Sequence, residues 1–581
     1  MKWFPGHEAV KEDLRWPQGE VPDRNPSPAE VLLLSFFLIL TLAWRIYLAS
    51  TARYNPDEFL FAGHCARLFH GLIPGRDFPL NHSPLFFYFL SRFFRAIDNQ
   101  VGLLDHLRMI QFGETIAFLV LLFFFVRRVF GGRCAIYAVL LVHSFDFFTE
   151  RTIQFRPDLW GYFLFILGIF LWSAEERPWR LTIRTMVASV FVALSVAFFM
   201  NMLFYLLGLF LWIIVESLKR KRLRAAVPLL VFQTAAVAVI GLIAALLVYG
   251  FNFLMSITDF AHLLFGKKYF LPSAEGTTKI VKDLVLGNIL PIGLAILVFV
   301  EIHLHILKIR SANRHLILIV LLGDCGILFL ASMRYLLEPR LFEQHFFLWA
   351  IPAAILLAYR LSILSPDKTG WSLKPSFLIL AIIFLWSFHG AVALYKEEIS
   401  NRITERKELD DFRTSWAHTK PDAKSIGEWL SFKPKEYFTP FRYTSRDLQR
   451  RRISFLLEHT REGDLVLTEY YSPPYRDIPV KVPQGMILLT YYKFDSESRK
   501  GLEGQFIDLL HRWDPYTTMQ ERNLEERMLA MIERSSPRLI FLDGPFADLF
   551  RSSERFSQFV SSKYLLTVVV KDGMIYALRK S

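Results

Sequence analysis

The chain has 581 residues, 53% of them hydrophobic and 21% charged, with 56 phenylalanines and a positive mean hydropathy. That composition excludes a soluble enzyme on a single anchor and describes a polytopic membrane protein with a soluble part. The formal charge of +13 does not call for nucleic acid, because much of the excess lies in short clusters between apolar runs, where the positive-inside rule puts it.

Residues 1–28 are polar and proline-rich (Pro17, Pro22, Pro26, Pro28), with no apolar h-region or small-residue cleavage site, and read as a cytoplasmic tail. The three cysteines, Cys65, Cys134 and Cys325, are too scattered for a disulfide framework or a metal motif. Membrane spans need about 20 apolar residues. About eleven runs qualify: Ala29–Ala49, Ile110–Val126, Cys134–Phe148, Ile153–Ala174, Met186–Phe199, Met202–Val215, Val227–Asn252, Leu284–Leu307, His315–Met333, His345–Tyr359 and Ser376–Tyr395. Together they define a membrane domain over 29–395.

The first outer loop, 50–109, is far denser in titratable groups than a tether needs. Between Tyr54 and Tyr88 it carries Asp57, Glu58, Asp77, three histidines including His82, and Arg67 and Arg76. Phe59, Ala62, Ala66 and Phe69 recur at spacings of three or four, which predicts a short helix with Asp57 and Glu58 in its first turn, where the helix dipole favours carboxylates. A Pro-Asp-Glu sequence is also an ordinary helix start. The aromatic run Leu85–Phe94 is expected to be interfacial or re-entrant.

Four basic clusters set the orientation: Arg127, Arg128 and Arg133; Arg177, Arg180 and Arg184; Lys219 to Arg224; and Lys308, Arg310 and Arg314. With a cytoplasmic N-terminus and eleven crossings all four fall inside, and the 50–109 loop and the C-terminal part fall outside. The loop Phe253–Asp283 (Lys267, Lys268, Lys279, Lys282) and the segment Arg334–His345 then also face outward. After Tyr395 the composition changes to a mixed, charged segment, 396–581, which reads as an extracytoplasmic α/β domain. Strands are expected at Asp464–Tyr470, Met486–Tyr492, Arg538–Asp543, Tyr564–Val570 and Met574–Leu578, and helices at Arg446–His459 and Met519–Ile532. It is either a packing domain or an acceptor-binding one, with Tyr470, Tyr471, Tyr475 and Arg476 as a contact surface.

Ionisable groups inside spans are functional candidates by default. Arg156 and Asp158 enter from the outside within two turns of the surface, at the depth where Asp57 and Glu58 emerge. They can meet the loop acids or pair internally. Asp146 and Glu150 read as interfacial, and Asp324 as a hydrogen-bond partner for a neighbouring helix.

Asp57-Glu58, the stretch GLIPGRDFPLNHSPLFFYF, Arg156-Pro157-Asp158 opening a later span, and RLFEQHFFLWAIP near the last spans, in that order and on one side, resemble the GT-C fold membrane glycosyltransferases. The likeness is to the bacterial branch related to protein O-mannosyltransferases and the lipid A aminoarabinose transferase. It covers about 400 residues. It implies a bacterial inner-membrane enzyme taking a sugar from a polyprenyl-phosphate-type lipid and passing it to a glycan, lipid or protein acceptor outside. Carried over by position, Asp57 is the general base or acceptor-orienting carboxylate, Glu58 its neighbour, and Asp158 a loose match to the second acid that some members use, in some of them with a divalent metal. His345 matches a position near the lipid phosphate. A lysine common near the start of the sixth span is replaced here by the Phe-Phe-Met-Asn201 stretch.

Displacing a phosphate from an anomeric carbon passes through an oxocarbenium-like state. It needs an acid to deprotonate or orient the acceptor and fixed positive charge or a metal for the departing phosphate. Arg76, Lys267, Lys268, Arg334, Arg340 and His345 can supply that charge, with His82 and Arg156 as further substrate contacts. The rival readings are a lipid or glycan transporter or flippase, which predicts paired charges along several spans and repeat symmetry, and a non-catalytic envelope assembly protein. An O-antigen polymerase or ligase stays open among the enzymes.

Overall fold

The computed structural model describes residues 26–250, apart from parts of the loops at 52–55, 70–81, 97–101, 146–151 and 176. It further describes 290–304, 314–332, 346–363 and 378–386, and in the C-terminal third 466–467, 529, 532–533, 536–542, 554–570 and 573–578. Helix α1 (Pro28–Thr51) starts with a reciprocal cap: the Ser27 hydroxyl accepts the Glu30 N–H at 3.2 Å while the Glu30 carboxylate accepts the Ser27 N–H at 2.8 Å. Proline at the first helical position costs nothing there, because its missing N–H would be unpaired anyway.

Next come α2 (Pro56–Phe69), α3 (Pro84–Ser91) running into a 3-10 turn to Ala96, α4 (Leu103–Phe130), α5 (Gly132–His143), α6 (Asp158–Ser173), α7 (Ile183–Phe198), α8 (Leu203–Lys219) and α9 (Leu223–Tyr249). Then α10 (Leu290–Leu304), α11 (Arg314–Ser332), α12 (Phe347–Ile363) and α13 (378–386) follow. Each of the eleven apolar runs holds a helix. Among the described residues, five helices are long and apolar enough to cross a membrane: α1, α4, α8 with its leading turn, α9 and α11. Their outward faces are apolar. Leu32, Phe36 and Ile39 on α1 and Val231, Val239 and Ile243 on α9 are exposed, a pattern that places the protein in lipid. The run Leu85–Phe94 is too short to span, and forms α3 and its 3-10 extension.

Buried apolar side chains form two clusters. The larger fills the space between α4, α5, α6, α8, α11 and α12. The smaller caps one end, where α2, α3 and the start of α4 meet Phe155 and Phe198. Helices approach closely where side chains are small: a Cβ on Gly168 of α6 would sit 3.0 Å from the Ala188 carbonyl of α7. Inside α12, Pro352 cannot donate to the carbonyl of Leu348, and the Tyr205 hydroxyl of α8 donates to it instead.

Among the described C-terminal residues, β1 (Val466–Leu467), β2 (Leu539–Leu542), β3 (Tyr564–Val570) and β4 (Gly573–Leu578) form one sheet in the order β1-β2-β4-β3. Strand β1 is parallel to β2. The hairpin β3–β4 is antiparallel and carries a register shift between Leu566 and Val568. Helix α14 (Glu554–Lys563), absent from the sequence expectation, leads into β3. The expected strand Met486–Tyr492, helix Arg446–His459 and the Tyr470–Arg476 surface lie outside the described residues, as does most of Met519–Ile532.

Candidate functional site

The apolar run expected as one span from Ile153 is broken: Thr152 and Ile153 are helical, and helix resumes only at Asp158. Pro157 disfavours helical geometry at Arg156 and removes a donor, so Gln154–Pro157 is irregular backbone. Such backbone is tolerated at membrane depth only where the surrounding protein satisfies it, and three helices converge to do so. The Glu58 carboxylate of α2 accepts the Phe155 N–H at 3.0 Å. From α4, the Gln111 carbonyl oxygen accepts the Arg156 N–H at 3.4 Å and the Trp160 indole N–H at 3.3 Å, and the Thr115 hydroxyl donates to the Thr152 carbonyl at 3.1 Å. The Arg45 guanidinium of α1 donates to the Thr152 hydroxyl and lies 5.1 Å from the Phe148 ring centroid.

Glu58 is held in turn by Arg108. Both side chains are fully buried, and the guanidinium donates through two nitrogens, Nη2 to Oε2 at 2.6 Å and Nε to Oε1 at 2.8 Å. Its third nitrogen reaches the Ala49 carbonyl at 3.5 Å. A bidentate pair of this kind is directional as well as strong, and it clamps the first turn of α2 against α4. Asp57 stands in that turn, one residue before Glu58; its side chain lies outside the described residues. The inward face of α2 is apolar (Phe61, Ala62, Ala66), and burial there pushes the Cys65 thiol well above its usual range, as for a packing cysteine.

Asp158 caps the same junction. Its Oδ2 lies 3.0 Å from Arg156 Nε, the internal pair that was one of the two sequence alternatives. The Arg156 guanidinium also faces the Phe61 ring of α2 at 5.3 Å, and His82 meets the same ring edge-on at 4.9 Å. The chain leading into α3 joins the turn between α7 and α8, where Ser83 Oγ accepts the Met200 N–H at 2.9 Å. The first loop, the 152–158 segment and the 199–202 turn therefore share one side of the helical body. Phe347, two residues beyond His345, packs on Phe148 at 5.1 Å and on Tyr162 at 4.7 Å, one turn below Asp158.

The structure thus sets Arg156 and His82 against Phe61, with Asp158 paired to Arg156 and Glu58 bonded to the neighbouring Phe155 N–H. Arg76, Lys267, Lys268, Arg334, Arg340 and His345 lie outside the described residues. Sequence reasoning missed Arg45, Arg108, Gln111, Glu114, Thr115 and Thr152. A signal existed: Arg108, Gln111 and Glu114 recur every three residues on one face of α4, and Gln111 donates to Glu114 at 3.0 Å. Among the described residues, no three His, Cys, Asp or Glu side chains converge to hold a metal ion. Asp324 pairs with His303 of α10 at 3.0 Å, and Glu301 on the same helix pairs with Arg360 of α12 at 2.8 Å.

No protein-family model matches the chain, and no curated protein matches its sequence. Among solved structures, ArnT from Cupriavidus metallidurans bound to undecaprenyl phosphate aligns with a TM-score of 0.55 at 13% identity, covering 94% of this chain and 98% of that one. The apo structure of the same protein aligns at 0.52 and 10% identity, with the same coverage. At such identity the likeness speaks for architecture, and it extends over nearly the whole of both chains. The fold of this membrane protein is the GT-C fold that its sequence resembles.

Proposed function

We propose that the chain is an integral-membrane glycosyltransferase that moves a hexose or pentose from a polyprenyl-phosphate-type donor to an acceptor on the outer side of the membrane. The observation that carries this reading is the clamp on α2: Glu58 is committed to Arg108 and Phe155, which keeps the turn bearing Asp57 beside the Arg156–Asp158 pair. Undecaprenyl phosphate in the ArnT structure of the same fold supports a lipid-phosphate donor.

In the proposed reaction the acceptor hydroxyl attacks the anomeric carbon, its proton passes to Asp57, and the carbon–oxygen bond to phosphate breaks with the electron pair leaving on the polyprenyl phosphate. A positioned base of this type contributes about 10²–10⁴-fold. Glu58 acts as a positioning residue, and Asp158 as the second acid, its charge balanced by Arg156. Arg76, His82, Lys267, Lys268, Arg334, Arg340 and His345 are proposed contacts for phosphate and sugar; a divalent metal, where used, would add positive charge for the leaving phosphate. The proposed topology has a cytoplasmic tail (1–28), eleven crossings within 29–395 and an extracytoplasmic α/β domain (396–581), in a bacterial inner membrane.

Purified full-length protein incubated with a panel of polyprenyl-linked sugars, with and without chelator, tests the reading. Release of polyprenyl phosphate coupled to acceptor glycosylation is the expected result; a panel with no release in either condition, from protein that binds the lipids, would overturn it.

A further inference from the structure

Below the polar junction, α1, α4 and α5 leave a groove of about 420 Å³ between them, lined almost wholly by apolar side chains. Leu34 and Leu38 of α1 and Val139 of α5 form its walls, Val120 and Phe124 of α4 open it toward lipid, and Ser35 is the polar exception. Its size is that of an ordinary ligand site. Along α1 from Val31 to Leu42 it runs roughly 16 Å at 1.5 Å per residue, about half of the ~30 Å hydrocarbon core. It stops near Ile116, next to Thr115 and the polar junction. A channel one leaflet long suits one acyl chain better than a long polyprenyl tail.

The opposite end, beside Val31, is charged. Arg127 lies on the groove face of α4, one turn beyond Phe123 and Phe124; it is exposed and has no ion-pair partner among the described residues. Arg128 turns away and covers the Phe170 ring at 5.6 Å. Arg133 of α5 sits over Glu30 at 3.6 Å, and the Tyr137 hydroxyl donates to the same carboxylate at 3.0 Å. Among the described residues, the guanidiniums of Arg127 and Arg133 and the carboxylate of Glu30 leave this mouth one positive charge.

We infer that the groove is a binding site for an anionic phospholipid of the inner leaflet, its acyl chain between α1, α4 and α5 and its phosphate at Arg127. The inference rests on the orientation in the proposed function, which puts the Arg127 end on the cytoplasmic side, opposite the outer junction. It does not depend on the transfer reaction.

The test uses full-length protein in nanodiscs with photoreactive phosphatidylglycerol or phosphatidylcholine of identical chains, with label mapped by peptide. Labelling of the 31–42 and 116–124 peptides is expected to favour phosphatidylglycerol about fivefold, the ~1 kcal/mol worth of one arginine near an anionic surface. Arg127→Glu should erase that preference, Arg128→Glu should preserve it, and Ser35→Phe, which fills the groove, should remove label from both lipids. Leu38→Trp repeats the fill should Ser35→Phe fold poorly. Equal labelling by both lipids, a preference that survives Arg127→Glu, or displacement of the label by polyprenyl phosphate would each overturn the assignment. A transferase-negative protein that still shows the arginine-dependent preference would sink the reaction and keep this site.

Discussion

Two sets of ion pairs in the membrane body are enclosed to very different degrees. At the junction of α1, α2 and α4, Glu58 and Arg108 are fully enclosed, and Glu58 also takes a backbone N–H from the irregular 152–158 segment. Between α10, α11 and α12, the pairs His303–Asp324 and Glu301–Arg360 join helix to helix, with Asp324 42% and Glu301 40% exposed. The first arrangement holds backbone that cannot hold itself. The second ties regular helices whose backbones are already satisfied, so the same chemistry carries very different weight in the two places.

Mutations can break this contrast, and their effects on stability should fall in a set order. Arg108→Ala leaves a buried carboxylate without its guanidinium and should cost about 3–5 kcal/mol, read by denaturation in detergent. The double variant Glu58→Leu with Arg108→Met removes both charges and should recover much of that loss while leaving α2 without its clamp. Next, Gln111→Leu strips acceptors from the Arg156 and Trp160 N–H groups and should cost about 1–3 kcal/mol. Arg360→Ala, in the second region, should cost ~1 kcal/mol or less, because its partner stays partly exposed. A larger loss at Arg360 than at Arg108 would reverse the comparison.

The smallest effect belongs to a helix-to-helix pair in the C-terminal third. Glu533 accepts a hydrogen bond from Lys563 at 2.8 Å, which holds its carboxyl below the usual range. A carboxyl depressed in the folded state stabilises fully above its unfolded value near 4.5 and loses that contribution as pH falls through the folded value. The melting-temperature gap between wild type and Lys563→Ala should therefore be slight at neutral pH and close in acid. A gap that widens in acid would contradict the sign.

Much of the fold was legible because it rests on local pattern. Phe59, Ala62, Ala66 and Phe69 predicted α2, which runs Pro56–Phe69; the apolar runs located the membrane helices; and the strand Tyr564–Val570 has the bounds that its branched residues suggested. The junction was legible only in part. Asp57, Glu58 and Asp158 drew notice as acids beside a span, but Arg108 lies 50 residues from Glu58 and just ahead of the apolar run that begins at Ile110. A bidentate contact over that distance follows from packing, which no window of sequence contains. Pro157 announced an interrupted helix, yet its consequence, a set of N–H groups needing Glu58 and Gln111, appears only when α2 and α4 are laid beside it.

The most direct measurement follows sugar transfer and thermal stability in the same preparation of Asp57→Asn. Asp57 lies beside the clamp without being one of its two charges, so melting should stay near wild type while turnover falls by about 10²–10⁴-fold and donor-lipid binding persists. Undiminished turnover in that variant would contradict a base at Asp57 and, with it, the purpose assigned to the clamp on α2.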